Sequence, residues 1–243
     1  MKPLSFLVFL LLGGCALVGF DPLAPSCDRY RPYEWYRSQM DTGPASRNNC
    51  GPTCVSMVIK YCNTHDVNVS LIRDIRPKEN GWWYASDISY ALNYYGIPNT
   101  IRSLSSDRDL LQALSRGSLV LACLDMSLIT EQSEDAEARY HRFYQGVTGH
   151  FLLLKGYTDR QEWIIAYDSN NWKNDYYLNR APKGRDRFYR AGEIVASMKK
   201  WWPYFFEIFG RKNLLIKRGE PDEMDRFANM RSSMEGIPDA WGR

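Results

Sequence analysis

The chain has 243 residues, enough for one domain with elaborations. Aromatic residues make up 14% of it, which supplies a buried core and excludes a disordered chain. The formal net charge is only +3 and no long run of like charge occurs, so no nucleic-acid partner is expected.

The N-terminus reads "MKPLSFLVFLLLGGCALVGF". Lys2 gives a short positive start, Leu4 to Leu12 form an apolar stretch, and Gly13 and Gly14 are small. This is the pattern of an export signal over 1–20, too short for a spanning helix. Leu12-Gly13-Gly14-Cys15 resembles the bacterial lipobox, which makes Cys15 the lipidated residue and anchors the protein to a membrane. Ala16, by the same resemblance, directs it to the periplasmic face of the outer membrane. The competing reading is an ordinary cleaved signal with an incidental Cys15. Residues 21–34 are rich in Pro, Arg and Tyr and read as a tether.

From Gly51 the pattern is helical, with Val55, Val58, Ile59 and Cys62 on one face. A second helix opens near Ser86 or Asp87 and stops at Gly96. A third is capped by Ser106 with Asp109 and ends at Gly117. "SLVLACL" at 118–124 reads as a buried strand. Residues 125–148 are polar and irregular, a lid or an excursion beside a site. "HFLLLKGY" and "EWIIAYD" read as two strands of a hairpin around "TDRQ". A helix is expected near 191–200, then the aromatic patch "WWPYFFEIF", a strand "NLLIK" and a polar tail over 219–243. Helices followed by an antiparallel sheet make an α+β domain.

Five cysteines remain beyond Cys15, an odd number that leaves at least one thiol free in an oxidising compartment. Cys50 stands at a helix start, where the positive end of the helix dipole favours a thiolate. Gly51 is read as leaving room for a substrate carbonyl. Cys54 lies one turn on, with poor geometry for a disulfide to Cys50, and reads as a small buried residue or half of a bridge to Cys27 or Cys123. "CGPTC" lacks the spacing of structural zinc sites and of redox Cys-x-x-Cys motifs, so no metal and no cofactor are expected. Of three histidines, His150 opens a strand, and Asp168 ends the next one 18 residues later. Antiparallel pairing makes them neighbours, so that a carboxylate can orient an imidazole. Read alone, His150 is equally a satisfied strand residue and Asp168 a turn former.

"NNCGPTCVSMVIKYC", "DRDLLQALSRGSLVLACL" and "GHFLLLKGYTDRQEWIIAYDSNN", in that order, resemble the papain-like cysteine peptidases of the bacteriocin-processing (double-glycine leader peptidase) superfamily, in its stand-alone exported branch. The resemblance covers roughly 35–170 and implies a papain-like domain over 35–218, with an N-terminal helical lobe packed on an antiparallel sheet. It also implies a peptide or protein substrate, Cys50 as nucleophile, His150 as base and acid, and Asp168 as the orienting residue. The family uses a Gln upstream of the Cys for the oxyanion, about six residues before it. That position is Pro44 here, and Gln39, eleven residues before Cys50, is the candidate, with Asn48 and Asn49 as alternatives. Without an ATP-binding cassette or multi-span region, transporter-linked leader processing is not implied. Two other functions share the fold: transglutaminase-like amide transfer through the same three residues, and non-catalytic peptide binding by a lipoprotein.

Overall fold

A computed structural model describes residues 25–210, apart from 79–80, 133, 148 and 173–174. The signal, Cys15, the first tether residues, "NLLIK" and the tail lie outside the described residues.

The chain runs β1 (Pro25–Asp28), α1 (Cys50–Asn63), α2 (Val69–Asp74), α3 (Ala85–Tyr94), β2 (Asn99–Ser103), α4 (Asp107–Ser115), β3 (Leu119–Asp125), β4 (Gly149–Thr158), β5 (Trp163–Asp168), β6 (Arg187–Arg190), α5 (Ala191–Trp201) and β7 (Tyr204–Ile208). The strands form one sheet in the order β2-β7-β3-β4-β5-β6, with β1 paired to β4, and every pairing is antiparallel. The fold is the α+β arrangement expected.

The sheet is covered on both faces. Odd-numbered residues of β3 and β4 (Leu119, Leu121, Cys123, Phe151, Leu153) pack with α1, Ile72 of α2 and α3. Even-numbered ones (Val120, Ala122, Leu124, Leu152, Leu154) pack with α4 and α5. This is the period-2 consequence of a pleated strand, and it explains why "LVLACLD" is buried at every position. α1 is likewise buried at nearly every position, because α2, α3 and the sheet surround it.

Local signals place several helix ends. The Asp109 carboxylate accepts the N–H groups of Ser105 and Ser106 at 2.7 and 2.9 Å, which fixes the start of α4. Gly117 follows α4 with φ +98°, a conformation that glycine takes without cost.

One expectation is corrected. Residues 25–34 are not a tether: β1 pairs with Gly156–Thr158 of β4, continuing the edge on which β3 pairs with 149–154. Lys155, only 3% exposed, bridges Asp28 of β1 and Asp186 at 2.7 and 2.6 Å and so ties this segment down. The patch "WWPYFFEIF" holds the end of α5 and the strand β7. Phe206 and Ile208 enter one core cluster and Phe205 the other, so this stretch packs into the domain.

Candidate active site

The site lies where the N-terminus of α1 meets the start of β4 and the end of β5. Cys50, His150 and Asp168 are 5%, 2% and 0% exposed. α1 begins at Cys50 itself, so the thiol occupies the first helical position, next to the free N–H groups of the first turn.

Asp168 pairs across the ladder with Leu152, so His150 is its diagonal neighbour two residues away on the same face. The imidazole Nε2 lies 2.7 Å from Asp168 Oδ1. A carboxylate only accepts, so Nε2 carries a proton and donates it. Cys50 and His150 lie near enough to act on each other's charge, and Nδ1 is the imidazole nitrogen left to face the thiol. The three groups predicted from sequence therefore come together in the order Cys50, His150, Asp168.

Electrostatics follow from burial and partners. Burial by itself raises the Cys50 thiol, but the His150 hydrogen bond and charge, helped by the N–H groups of Phe151 and Gly51, prevail and bring its pKa below the ordinary value. Burial opposes the His150 imidazolium, yet the Asp168 charge and hydrogen bond and the Cys50 contact hold its pKa well above the usual range. Asp168 is likewise disfavoured by burial, and the charge and bond of His150, then the Tyr189 hydroxyl and the Asn170 N–H, bring it below the usual carboxylate value. All three shifts favour a thiolate–imidazolium pair over a neutral one. Cys54 and Cys123, fully enclosed near Cys50, are instead pushed well above the normal thiol value, mainly by burial. All five body cysteines are free thiols, and Cys54 Sγ lies 3.5 Å from the Phe151 carbonyl as a small buried residue.

Gln39 is 3% exposed and close to the turn before Cys50. Its Nε2 donates to the carbonyls of Ser46 at 3.1 Å and Arg47 at 3.5 Å, and its Oε1 accepts from Ser169 Oγ at 2.8 Å. In this conformation the amide ties the loop 39–49 to the residue after Asp168. Asn49 is fully buried and committed: Nδ2 donates to Thr42 Oγ1 at 2.9 Å and Oδ1 accepts from Arg73 Nη1 at 2.8 Å. Asn48 is half-buried at the end of a single 3-10 turn (Ser46–Asn48).

Gly51 has a different role from the one read in the sequence. A Cβ there would stand 3.1 Å from Ile88 Cδ1 and 3.3 Å from Phe151 Cδ2. The missing side chain lets α1 seat between α3 and β4, and that space is filled by protein.

Several residues escaped the sequence reading. Tyr144 and Tyr189 hydroxyls donate to Asp168 Oδ2 at 2.9 and 2.5 Å. Tyr36 donates to the Asp168 carbonyl at 2.9 Å. Arg73 joins Asn49 to the carbonyls of Lys78 and Gly81, both at 2.8 Å. None stands in a local motif, and each reaches the site only through the tertiary fold.

The Peptidase_C39 like family matches residues 35–193, more than half of the chain. Among solved structures, a C39-like peptidase from Bacillus anthracis is similar at 12% identity, with TM-score 0.50, over 72% of this chain and 94% of that one. The peptidase domain of Streptococcus ComA, a bi-functional ABC transporter involved in a quorum sensing pathway, is also similar: 12% identity, TM-score 0.46, 73% of this chain and 100% of that one. No curated protein matches. The Bacillus anthracis structure shares the fold, and the family match adds the lineage: the chain belongs to the Peptidase_C39 like family of cysteine peptidases.

Proposed function

We propose that the protein is an exported cysteine peptidase that cleaves a peptide bond through Cys50, His150 and Asp168. The observation that carries this reading is the imidazole of His150, held by Asp168 at 2.7 Å and placed beside Cys50 at a helix N-terminus, where the two groups act on each other's charge. In the resting state the Cys50 thiolate faces the His150 imidazolium. The thiolate attacks the substrate carbonyl carbon, a C–S bond forms, and the carbonyl oxygen becomes an oxyanion near the Cys50 N–H. Collapse of this intermediate breaks the C–N bond, and His150 gives its proton to the leaving nitrogen. His150 then takes a proton from water, the hydroxide attacks the thioester, and C–S cleavage releases the acid and restores the pair. Asp168 orients the imidazole and stabilises its charged form throughout. Gln39 is the proposed second oxyanion donor, and for this its Nε2 has to leave the Ser46 carbonyl.

Export and anchoring rest on the N-terminal sequence, with Cys15 lipidated and the enzyme held at the periplasmic face of the outer membrane. The test is a proteome-wide comparison of peptide termini produced by the wild type and by Cys50→Ala. Cleavages present only with the wild type are expected, and identical termini profiles would overturn the reading.

A further inference from the structure

Asp168 accepts two hydrogen bonds on each carboxylate oxygen. Oδ1 takes His150 Nε2 at 2.7 Å and the Asn170 N–H at 2.9 Å. Oδ2 takes the hydroxyls of Tyr144 at 2.9 Å and Tyr189 at 2.5 Å. We propose that Tyr144 and Tyr189 are positioning residues of the site: together they lock the Asp168 carboxylate by Oδ2 so that Oδ1 alone is presented to His150. This rests on the peptidase reading and names two residues that it does not need in order to stand.

The arrangement is built from opposite directions. Tyr144 comes from the irregular excursion between β3 and β4, and Tyr189 from β6. Neither is sequence-local to Asp168, and both side chains are buried, at 8% and 0% exposure. The Tyr144 ring also meets His150 edge-on, with ring centres 5.9 Å apart and planes at 73°. One phenol therefore touches both the orienting carboxylate and the imidazole that it orients.

The excursion is held in place by the same strand that supplies the other phenol. Arg187 is two residues before Tyr189 on β6, so both point to one face. Its guanidinium is fully buried and donates to the carbonyls of Ala138, His141 and Tyr140 at 2.7, 2.7 and 2.8 Å. It also lies over the Phe143 ring, 5.0 Å from the centre. A four-residue strand thus sets Tyr189 directly and Tyr144 through a strap on its loop.

The physical consequence follows from phenol O–H donation to an anion: a phenol bonded to the ionised carboxylate favours it, and two phenols also fix its plane. Other groups facing Asp168 are His150 of β4, Cys54 of α1, and Tyr36 from the N-terminal segment. Arg142 and Arg187 act in turn on Tyr144 and Tyr189. Loosening the carboxylate weakens support for the His150 imidazolium. The thiolate–imidazolium pair then gives way to the neutral pair, and reactivity at Cys50 moves toward that of an ordinary thiol.

The test needs no substrate. Tyr144→Phe combined with Tyr189→Phe keeps both rings and removes only the hydroxyls. Iodoacetamide labelling of the Cys50 peptide is followed by mass spectrometry from pH 5 to 9, with folding checked by circular dichroism. The expected result is a profile moved to higher pH by about one unit in the double variant, on the order of a tenfold loss of rate on the rising limb. A profile that stays put, or moves to lower pH, in a folded double variant overturns the proposal and leaves the phenols with a packing role only. Should the double variant lose its fold, Tyr144→Phe alone carries the test with a shift of about half a unit, and an unmoved profile is the overturning result. Failure of the peptidase reading looks different, because the wild type itself would then label like an unperturbed thiol.

Discussion

His150 and Asp168 are bonded at 2.7 Å although neither is the other's direct partner in the sheet. Asp168 faces Leu152, and His150 reaches it along the diagonal from two residues away. The diagonal suits a long, planar side chain and leaves Nδ1 free to turn toward Cys50. Asp168→Asn replaces a charged acceptor by an amide and removes support for the imidazolium. Turnover of any substrate identified by termini profiling is expected to fall by roughly 10²–10⁴-fold, by analogy with the orienting residue of serine triads. Retention of most activity would show that His150 needs no carboxylate.

The lowered Cys50 thiol depends on His150 winning against burial. In His150→Ala, only the Phe151 and Gly51 N–H groups still oppose burial, and the thiol pKa is expected to rise above its ordinary value of about 8.5. Iodoacetamide labelling at pH 7 is expected to drop at least about tenfold, since only the thiolate reacts. Cys54 and Cys123 contribute little background at that pH because burial raises both. An unchanged labelling rate would mean that the helix terminus alone activates Cys50.

Stability should carry the same pair in its pH dependence. Asp168 is lowered in the folded state, so its contribution is present above the unfolded carboxylate value of about 3.9 and is lost as pH falls through the folded value. His150 is raised, so its contribution is complete below about 6.5 and is lost as pH rises through its folded value. The stability advantage of the wild type over Asp168→Asn is therefore largest between about pH 4 and 6.5. Urea unfolding at pH 3, 5 and 9 measures it, and a difference independent of pH would separate this carboxylate from the ion pair.

Gly184 supports the site by having no side chain. Its carbonyl accepts the Asp168 N–H at 2.8 Å, and a Cβ would stand 1.9 Å from the Asp168 carbonyl oxygen and 2.7 Å from Tyr36 Oη. Backbone cannot yield at that distance, so Gly184→Ala is expected to cost about 3 kcal/mol or more and to displace Asp168. At Gly51 the nearest atoms are side-chain ends at 3.1 and 3.3 Å, and Gly51→Ala is expected to cost only about 1 kcal/mol. Thermal unfolding of the two variants ranks them, and equal losses would refute the distinction between backbone and side-chain neighbours.

The elements legible in the sequence are those whose signals are local. α1, α3 and α4 show helical spacing, the last two with a terminating glycine, and β3, β4 and β5 are apolar runs between polar breaks. The missed elements depend on distant partners. β2 is half-exposed and pairs with β7 more than a hundred residues later, while β6 carries two arginines and owes its place to β5. β1 looked like a tether because nothing near it in sequence reveals the open edge of β4 beyond β3. β7 was hidden by the aromatic run around Pro203.

By itself the sequence determined the α+β class and the candidate trio of Cys50, His150 and Asp168, because helix starts and strand ends place their own residues. The tertiary structure alone decided which hydrogen bonds those three residues make and which distant groups hold them. Two phenols on Asp168, the Arg187 strap, the Gly184 approach and the engagement of Gln39 with its own loop all join segments far apart in the chain. Burial makes these contacts necessary, since an ionised carboxylate with no exposed surface needs a donor at every oxygen, and only the assembled fold brings donors from so many directions.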